Sequence, residues 1–181
     1  CKVIHNCPMS IFHNHKKKDL EIEGEVRLVT HHWSMNPKKG FDIYRELQNY
    51  IDKTGKYKFT YIGRKPEEYD FSNYYPPMSA LEVAKELPNH DIYITASIEE
   101  AGANHVLEAM ACGLPVVFHE NGGSIVDYCN DYGLKYFHFE EMVKQIDKVV
   151  EQYRFYKSKV LSYDKDNSQV VKEYLQIITN L

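Results

Sequence analysis

The stretch Ser97-Ile98-Glu99-Glu100-Ala101-Gly102-Ala103-Asn104-His105-Val106-Leu107-Glu108-Ala109-Met110-Ala111-Cys112-Gly113-Leu114-Pro115-Val116-Val117 reads as a sequence of local structures. A buried strand ends, a polar turn with a glycine follows, then a helix, a glycine stop and a second buried strand. A strand feeding a helix N-terminus through a Gly-containing turn is suited to phosphate. The first helical turn has unpaired N–H groups and about half a positive charge. Glu100 falls on the turn and Glu108 inside the helix, with seven residues between them. Glu108 sits too deep in the helix to cap it, which suits a carboxylate that accepts hydrogen bonds from a ligand. The plain alternative is an ordinary crossover with solvated glutamates, and the spacing alone leaves both open.

The pattern repeats in both directions. Upstream, Val26 to His31 reads as a strand, and an amphipathic helix runs from about Phe41 to Asp52, stopped at Thr54-Gly55. Tyr57 to Ile62 is a second strand with Gly63-Arg64 at its end. Ser79 opens a helix to Leu87, with Glu82 placed to complete a capping box. Asp91 to Ala96 is the strand entering the central stretch, and Pro115 to Phe118 the strand leaving it. Gly122-Gly123 precedes a helix from Ser124 to Asp131, Leu134 to Phe139 is a fifth strand, and helices follow at Glu140 to Tyr156 and Ser168 to Ile178. Strands alternating with helices require right-handed crossovers and a parallel sheet. The predicted fold is therefore α/β, a Rossmann-like parallel sheet with helices on both faces. Residues 26–160 form its core, 1–25 a leading segment and loop, and 161–181 a C-terminal helix, all one domain. Ligands on such sheets bind outside the carboxyl ends of the strands. That edge collects His31 to Lys39, Gly63-Arg64, Ser97 to Asn104 and Asn121 to Ser124.

Composition narrows the partners. With 181 residues, 43% hydrophobic and 27% charged, the chain is an ordinary globular one, and a formal charge of -4 gives nucleic acid no attraction. A phosphate site must then be local. No apolar run approaches the ~20 residues of a membrane span and no signal peptide is visible. Cys1, Cys7, Cys112 and Cys129 share no metal-ligand or disulfide spacing, which points to a reducing, cytoplasmic compartment. His13 and His15 lack a third metal ligand and read as a mobile surface loop. Lys16-Lys17-Lys18 reads as a solvated face.

The central stretch resembles the Glu-x7-Glu segment of the retaining nucleotide-sugar glycosyltransferases of family 4, which have the GT-B fold. The resemblance is carried by Ser97, Glu100, Gly102, Leu107, Glu108, Ala109, Ala111, Gly113, Pro115 and Val116, followed by Gly122-Gly123. It implies that this chain is the C-terminal, donor-binding half of such an enzyme. Val3-Ile4-His5-Asn6 with Phe12 is similar, loosely, to the family's linker into that half, with Cys7 and Pro8 in place of the usual Gly-Val. The acceptor-binding first domain would then lie outside this chain.

The resemblance also implies roles. The donor is a nucleotide-diphosphate sugar, UDP- or GDP-linked, and the acceptor a glycan or lipid-linked molecule. The anomeric configuration is retained and no metal or other cofactor is required. Glu100 would hold the donor sugar and Glu108 the ribose hydroxyls. Gly102, Ala103, Asn104 and Leu107 belong to the same segment, with the backbone from Ala101 to Asn104 facing the diphosphate. Lys39-Gly40 matches the family's Lys-Gly pair, whose cation grips the diphosphate. The arginine usual at the tip of the first strand is absent, and His31 or His32 stands nearest its place. If an imidazolium replaces it, diphosphate affinity should strengthen from pH 8 to pH 6. Pro77 and Met78 are candidates for the base pocket and Arg64 for the diphosphate. Membrane association, at the inner face, would involve the absent half. The competing readings are a nucleotide-sugar epimerase of the same fold and a domain that binds donor without catalysing transfer.

Overall fold

The computed structural model describes residues 4–179. Among them, six strands form one sheet: β1 (Arg27–His32), β2 (Lys58–Gly63), β3 (Tyr74–Tyr75), β4 (Ile92–Thr95), β5 (Val116–His119) and β6 (Gly133–Tyr136). The order is β3-β2-β1-β4-β5-β6 and every pair is parallel. The helices are α1 (Ile11–Asn14), α2 (Phe41–Thr54), α3 (Ala80–Glu86), α4 (Asn104–Ala111), α5 (Ser124–Cys129), α6 (Phe139–Glu151), α7 (Tyr153–Leu161) and α8 (Asn167–Thr179). The predicted fold class is the one observed.

Both faces of the sheet are covered, so the inner strands are apolar throughout rather than alternating. Successive side chains still point to opposite faces. Val29, Ile62 and Tyr93 pack with α3, α4 and α5, while Leu28, Tyr61, Ile92 and Ile94 pack with α2 and α6. The chain leaves β1 toward one edge and β4 toward the other, so the sheet reverses direction between these two strands. The crevice at their carboxyl ends is where a ligand can enter between diverging loops.

Several elements differ from the sequence reading. The predicted helix from Glu140 to Tyr156 is two helices, broken at Gln152 (φ −114°, ψ 30°). The break lets α7 pass beneath the amino ends of the strands. Tyr153 and Tyr156 join the α2–α6 side, whereas Val160 joins the α4 side. The fifth strand of the sequence reading is shorter than expected, because His138 caps α6 by accepting the Glu141 N–H. The edge strand Tyr74–Tyr75 carries no sequence signal of its own.

Of the lysine triplet only Lys18 is exposed, and Lys16 and Lys17 do not form a solvated face. Lys17 is paired with buried Asp91 at 2.6 Å, and Lys16 donates to the Tyr163 carbonyl at 2.6 Å. With buried Phe12, these residues pin the leading segment to the domain, and His13 bonds the Lys165 carbonyl at 2.9 Å rather than waving free. Val3 of the linker match lies outside the described residues. No described helix is long and apolar enough to cross a membrane. The described cysteines, Cys7, Cys112 and Cys129, are free thiols, and burial pushes Cys112 up to about 12.

Candidate functional site

At the β1–β4 crevice lies a cleft of about 520 Å³. Its floor is His31, His32 and His105, one wall is Lys39, Glu100, Gly102 and Asn104, and Glu108 rises from α4. The far end is apolar, with Ile62, Pro77, Met78, Ala80 and Val83. Trp33 and Ser34 sit at the rim.

Local sequence explains how each group arrives there. Asn36 caps a short 3₁₀ turn over Pro37–Lys39, and Gly40 ends it with φ +77°. A Cβ at Gly40 would lie 2.5 Å from the Ala96 carbonyl, so only glycine lets the start of α2 press on the end of β4. Lys39 is thereby aimed at Glu100, and the two form an ion pair whose side chains are 14% and 18% exposed. The loop carrying Glu100 is held on two sides. Ile98 N–H donates to the Lys38 carbonyl at 2.9 Å, and Glu99 N–H to the Asn121 carbonyl at 2.9 Å. Glu100 N–H donates to the Gly122 carbonyl at 3.2 Å. Glu99 adopts φ 54°, a left-handed conformation that costs a non-glycine residue about 1–2 kcal/mol.

Glu108 accepts a hydrogen bond from His31 Nε2 at 2.8 Å. His31 is itself fixed: its N–H and C=O both bond the Tyr93 hydroxyl, at 3.1 and 3.2 Å. His105 Nε2 meets Thr95 Oγ1 at 3.1 Å. His32 Nε2 lies 2.7 Å from the Tyr44 hydroxyl. Burial, reinforced by neighbouring imidazoles and Lys39, holds the pKa of His32 and of His105 well below the ordinary histidine value. In the free domain this burial disfavours the imidazolium at His32. Nδ1 of His31, Nδ1 of His32 and Oγ of Ser97 are buried with no partner among the described residues.

The start of α4 has no side-chain cap. Ala103 N–H goes to Ser124 Oγ at 3.3 Å and Asn104 N–H to the Gly102 carbonyl at 3.1 Å. Of the expected Ala101-to-Asn104 backbone donors, Ala103 and Asn104 are thus engaged within the domain, and the free donors of the helix's first turn begin at His105.

The sequence pattern of the family described as Glycosyl transferases group 1 matches residues 28–152. The chain belongs to that family. Solved structures similar to this glycosyltransferase domain share its fold. One is a pneumococcal O-GlcNAc transferase GtfA in complex with UDP and GlcNAc, at 11% identity and TM-score 0.68 over 98% of this chain and 38% of that one. Another is S. aureus TarM in complex with fondaparinux, alpha-GlcNAc-glycerol and UDP, at 19% identity and TM-score 0.67 over 97% and 37%. A third, WaaG, a glycosyltransferase involved in lipopolysaccharide biosynthesis, has 16% identity and TM-score 0.62 over 77% and 42%. The chain spans about two-fifths of the length of these proteins. No curated protein sequence matches it.

Within this glycosyltransferase domain the structure gathers Lys39, Glu100, Gly102, Asn104, Glu108, His31, His32 and Met78 around the one cleft. It does not bring the remaining candidates in directly. Arg64 is exposed and stacks on Trp33, its guanidinium 4.8 Å from the ring centre. Ala103 and Leu107 are buried, at 1% and 2% exposure, and support the α4 end from beneath. Sequence reasoning missed Trp33, His105 and Tyr44. The Ser79 side chain is committed to the expected capping box with Glu82. Among the described residues no three His, Cys, Asp or Glu side chains stand close enough to hold a metal ion.

Proposed function

We propose that this domain binds a nucleotide-diphosphate sugar in the β1–β4 cleft and forms the donor half of a glycosyltransferase. The observation that carries the reading is the meeting of Lys39, Glu100, Glu108 and the uncapped start of α4 around one cleft. Glu108, oriented by His31, takes the ribose hydroxyls, each charge-assisted bond contributing roughly 1.5–3 kcal/mol. The apolar end at Pro77 and Met78 takes the base. The diphosphate sits against Lys39 and the α4 N-terminus, and Glu100 holds the sugar.

The leaving group is the nucleoside diphosphate, so negative charge grows on its oxygens as the sugar departs. Donors already aimed there favour the transition state over the ground state, with about 2.7–4 kcal/mol lost per donor in comparable oxyanion sites. In the free domain Lys39 is held by Glu100. A phosphate competing for Lys39 releases Glu100 toward the sugar hydroxyls, so binding both neutralises the ligand and frees the second group. Transfer proceeds with retention, without a bound metal, to a glycan or lipid-linked acceptor supplied by a first domain. The bound UDP of the GtfA and TarM structures supports uridine as the base. The exposed stripe Val171, Tyr174, Leu175 and Ile178 on α8 suits packing against that first domain, and the protein acts in the cytoplasm or at the inner membrane face.

Thermal unfolding against UDP, GDP, ADP and their sugars tests the reading. A ligand at 100 times its dissociation constant adds about 2.7 kcal/mol, or roughly 5–10 °C for a domain of this size. A shift with one base, lost in Glu108→Ala, is expected. No shift with any nucleotide refutes donor binding by this domain.

A further inference from the structure

β1 and β4 pair in register at Leu28–Ile92 and Val29–Tyr93 and then part, which opens the crevice. Past that point a side chain takes the place of the missing strand partner. The Tyr93 hydroxyl accepts from the His31 N–H at 3.1 Å and donates to the His31 carbonyl at 3.2 Å. The backbone that carries the imidazole is thus anchored to β4 where the strand end would otherwise be free to move. The ring is confined as well. It meets the Tyr93 ring edge-on at 5.5 Å and the His105 ring at 6.3 Å between centroids, and the side chain is 11% exposed. A bonded backbone and two flanking rings fix the direction of Nε2, which is toward Glu108.

A carboxylate only accepts, so the 2.8 Å contact with Glu108 Oε2 puts a His31 proton on Nε2. Nδ1 is buried without a partner among the described residues, which leaves Nε2 as the ring nitrogen that serves the site. Glu108 depends on the pair in turn. It projects from the second turn of α4 into the cleft lining, its side chain is 22% exposed, and among the described residues His31 makes its one side-chain hydrogen bond. An unheld glutamate turns about three torsions, and a ligand that needs it must first still them. Here that ordering is done before any ligand arrives. One lone pair of Oε2 is taken by His31, and Oε1 keeps both of its own. Two carboxylate oxygens fixed side by side match two hydroxyls on neighbouring carbons.

We propose that His31 is a positioning residue that holds the Glu108 carboxylate ready for a vicinal diol, which makes this domain selective for ribonucleotides over deoxyribonucleotides. The proposal rests on the reading of Glu108 as the ribose acceptor. It also takes His31 out of the place expected of a diphosphate-binding cation, because its donor nitrogen already serves Glu108. Tyr93 enters the site by the same route: it touches no ligand, but it fixes the strand end from which His31 reaches across to α4.

Isothermal titration with UDP and 2′,3′-dideoxy-UDP, and with the matching guanosine pair, reads the ribose contribution as a ratio of affinities. The wild-type domain should prefer the ribonucleotide by about tenfold or more, since its hydroxyls bond a charged acceptor. His31→Phe should lower that ratio by about threefold to tenfold, the effect of having to immobilise one free side chain on binding. Its affinity for the dideoxynucleotide should change by less than about twofold, because that ligand makes no use of Glu108. His31→Gln, whose amide nitrogen can stand where Nε2 was, should restore the ratio to within about twofold of wild type. His31→Asn places its amide at the Nδ1 position, should behave like His31→Phe, and gives the same reading should His31→Phe not fold. A histidine that only supported the fold would lower both affinities together. That result, or a wild-type ratio in both His31→Phe and His31→Asn, overturns the proposal. Glu108→Ala tests the underlying reading separately: it should abolish the preference, and a preference that survives there overturns Glu108 as the ribose acceptor. Failure of the wild-type domain to bind either ribonucleotide overturns the donor reading and the proposal together.

Discussion

Acidification should destabilise this domain well above the pH at which carboxylates protonate, and the cause is its buried histidines. His32 and His105 lie beneath the site, and His90 is buried at the opposite end of the sheet. Burial lowers all three, His90 to about 4. The unfolded chain binds a proton at each near pH 6.5 while the folded chain does not. Stability is therefore complete above pH 6.5 and is lost as pH falls toward the folded values. His90 then costs about 2 kcal/mol by pH 5, with a limiting slope of about 1.4 kcal/mol per pH unit, and His32 and His105 act in the same direction. Urea unfolding from pH 7 to pH 5, followed by far-UV circular dichroism because the single tryptophan is already exposed, should show the midpoint falling by about 1 M or more. His90→Gln, which can keep a bond to Thr60 Oγ1, should reduce the slope of that pH dependence. Constant stability across that range, or an unchanged slope in the variant, would refute the argument.

Three further outcomes follow from single positions. Lys39→Met should weaken a nucleoside diphosphate about tenfold or more by isothermal titration while leaving the unphosphorylated nucleoside unaffected; equal losses for both would remove Lys39 from the diphosphate. Gly123 has φ +66°, and a Cβ there would lie 2.6 Å from the Glu100 carbonyl. Gly123→Ala should cost about 1–3 kcal/mol in chemical unfolding and reduce nucleotide-induced stabilisation, because the Glu100 loop must move. Lys157 is fully buried, donates to the Gly113 carbonyl, and is lowered to about 7, mainly by burial. The unfolded chain binds the extra proton above that value, so the stability of the wild type relative to Lys157→Met should rise by about 2 kcal/mol from pH 7 to pH 9.

What the sequence disclosed was what is local. The turn from β4 into α4, the glycines at 40 and 123, and the Ser79–Glu82 cap are written in adjacent residues, and they put Glu100 and Lys39 on the correct edge. What it hid depends on strand order. His31 and Glu108 are 77 positions apart and meet only because β1 and β4 are neighbours. Tyr44 looks like any apolar position of an amphipathic helix until Gly40 sets where that helix begins. The lysines at 16 and 17 follow a charge pattern that normally means solvent. Their burial comes from Asp91 and from carbonyls of the α7 end, contributed by distant segments.

The acid sensitivity and the proposed chemistry have one origin. A site that must neutralise a diphosphate could use a second cation beside Lys39, but His32 and Lys39 line the same cleft, and Lys39 is one of the causes that lower His32. Two cations there would repel in the free protein and would each need a carboxylate. Only Glu100 is spent on Lys39, and Glu108 is engaged by His31. Uncharged imidazoles avoid that conflict, and burial keeps them uncharged and pointed. The same burial opposes protonation of His32 and His105 in the folded domain. The free energy that keeps the floor of the cleft neutral is thus withdrawn from stability in acid, as expected where a site is arranged for a ligand rather than for the fold alone.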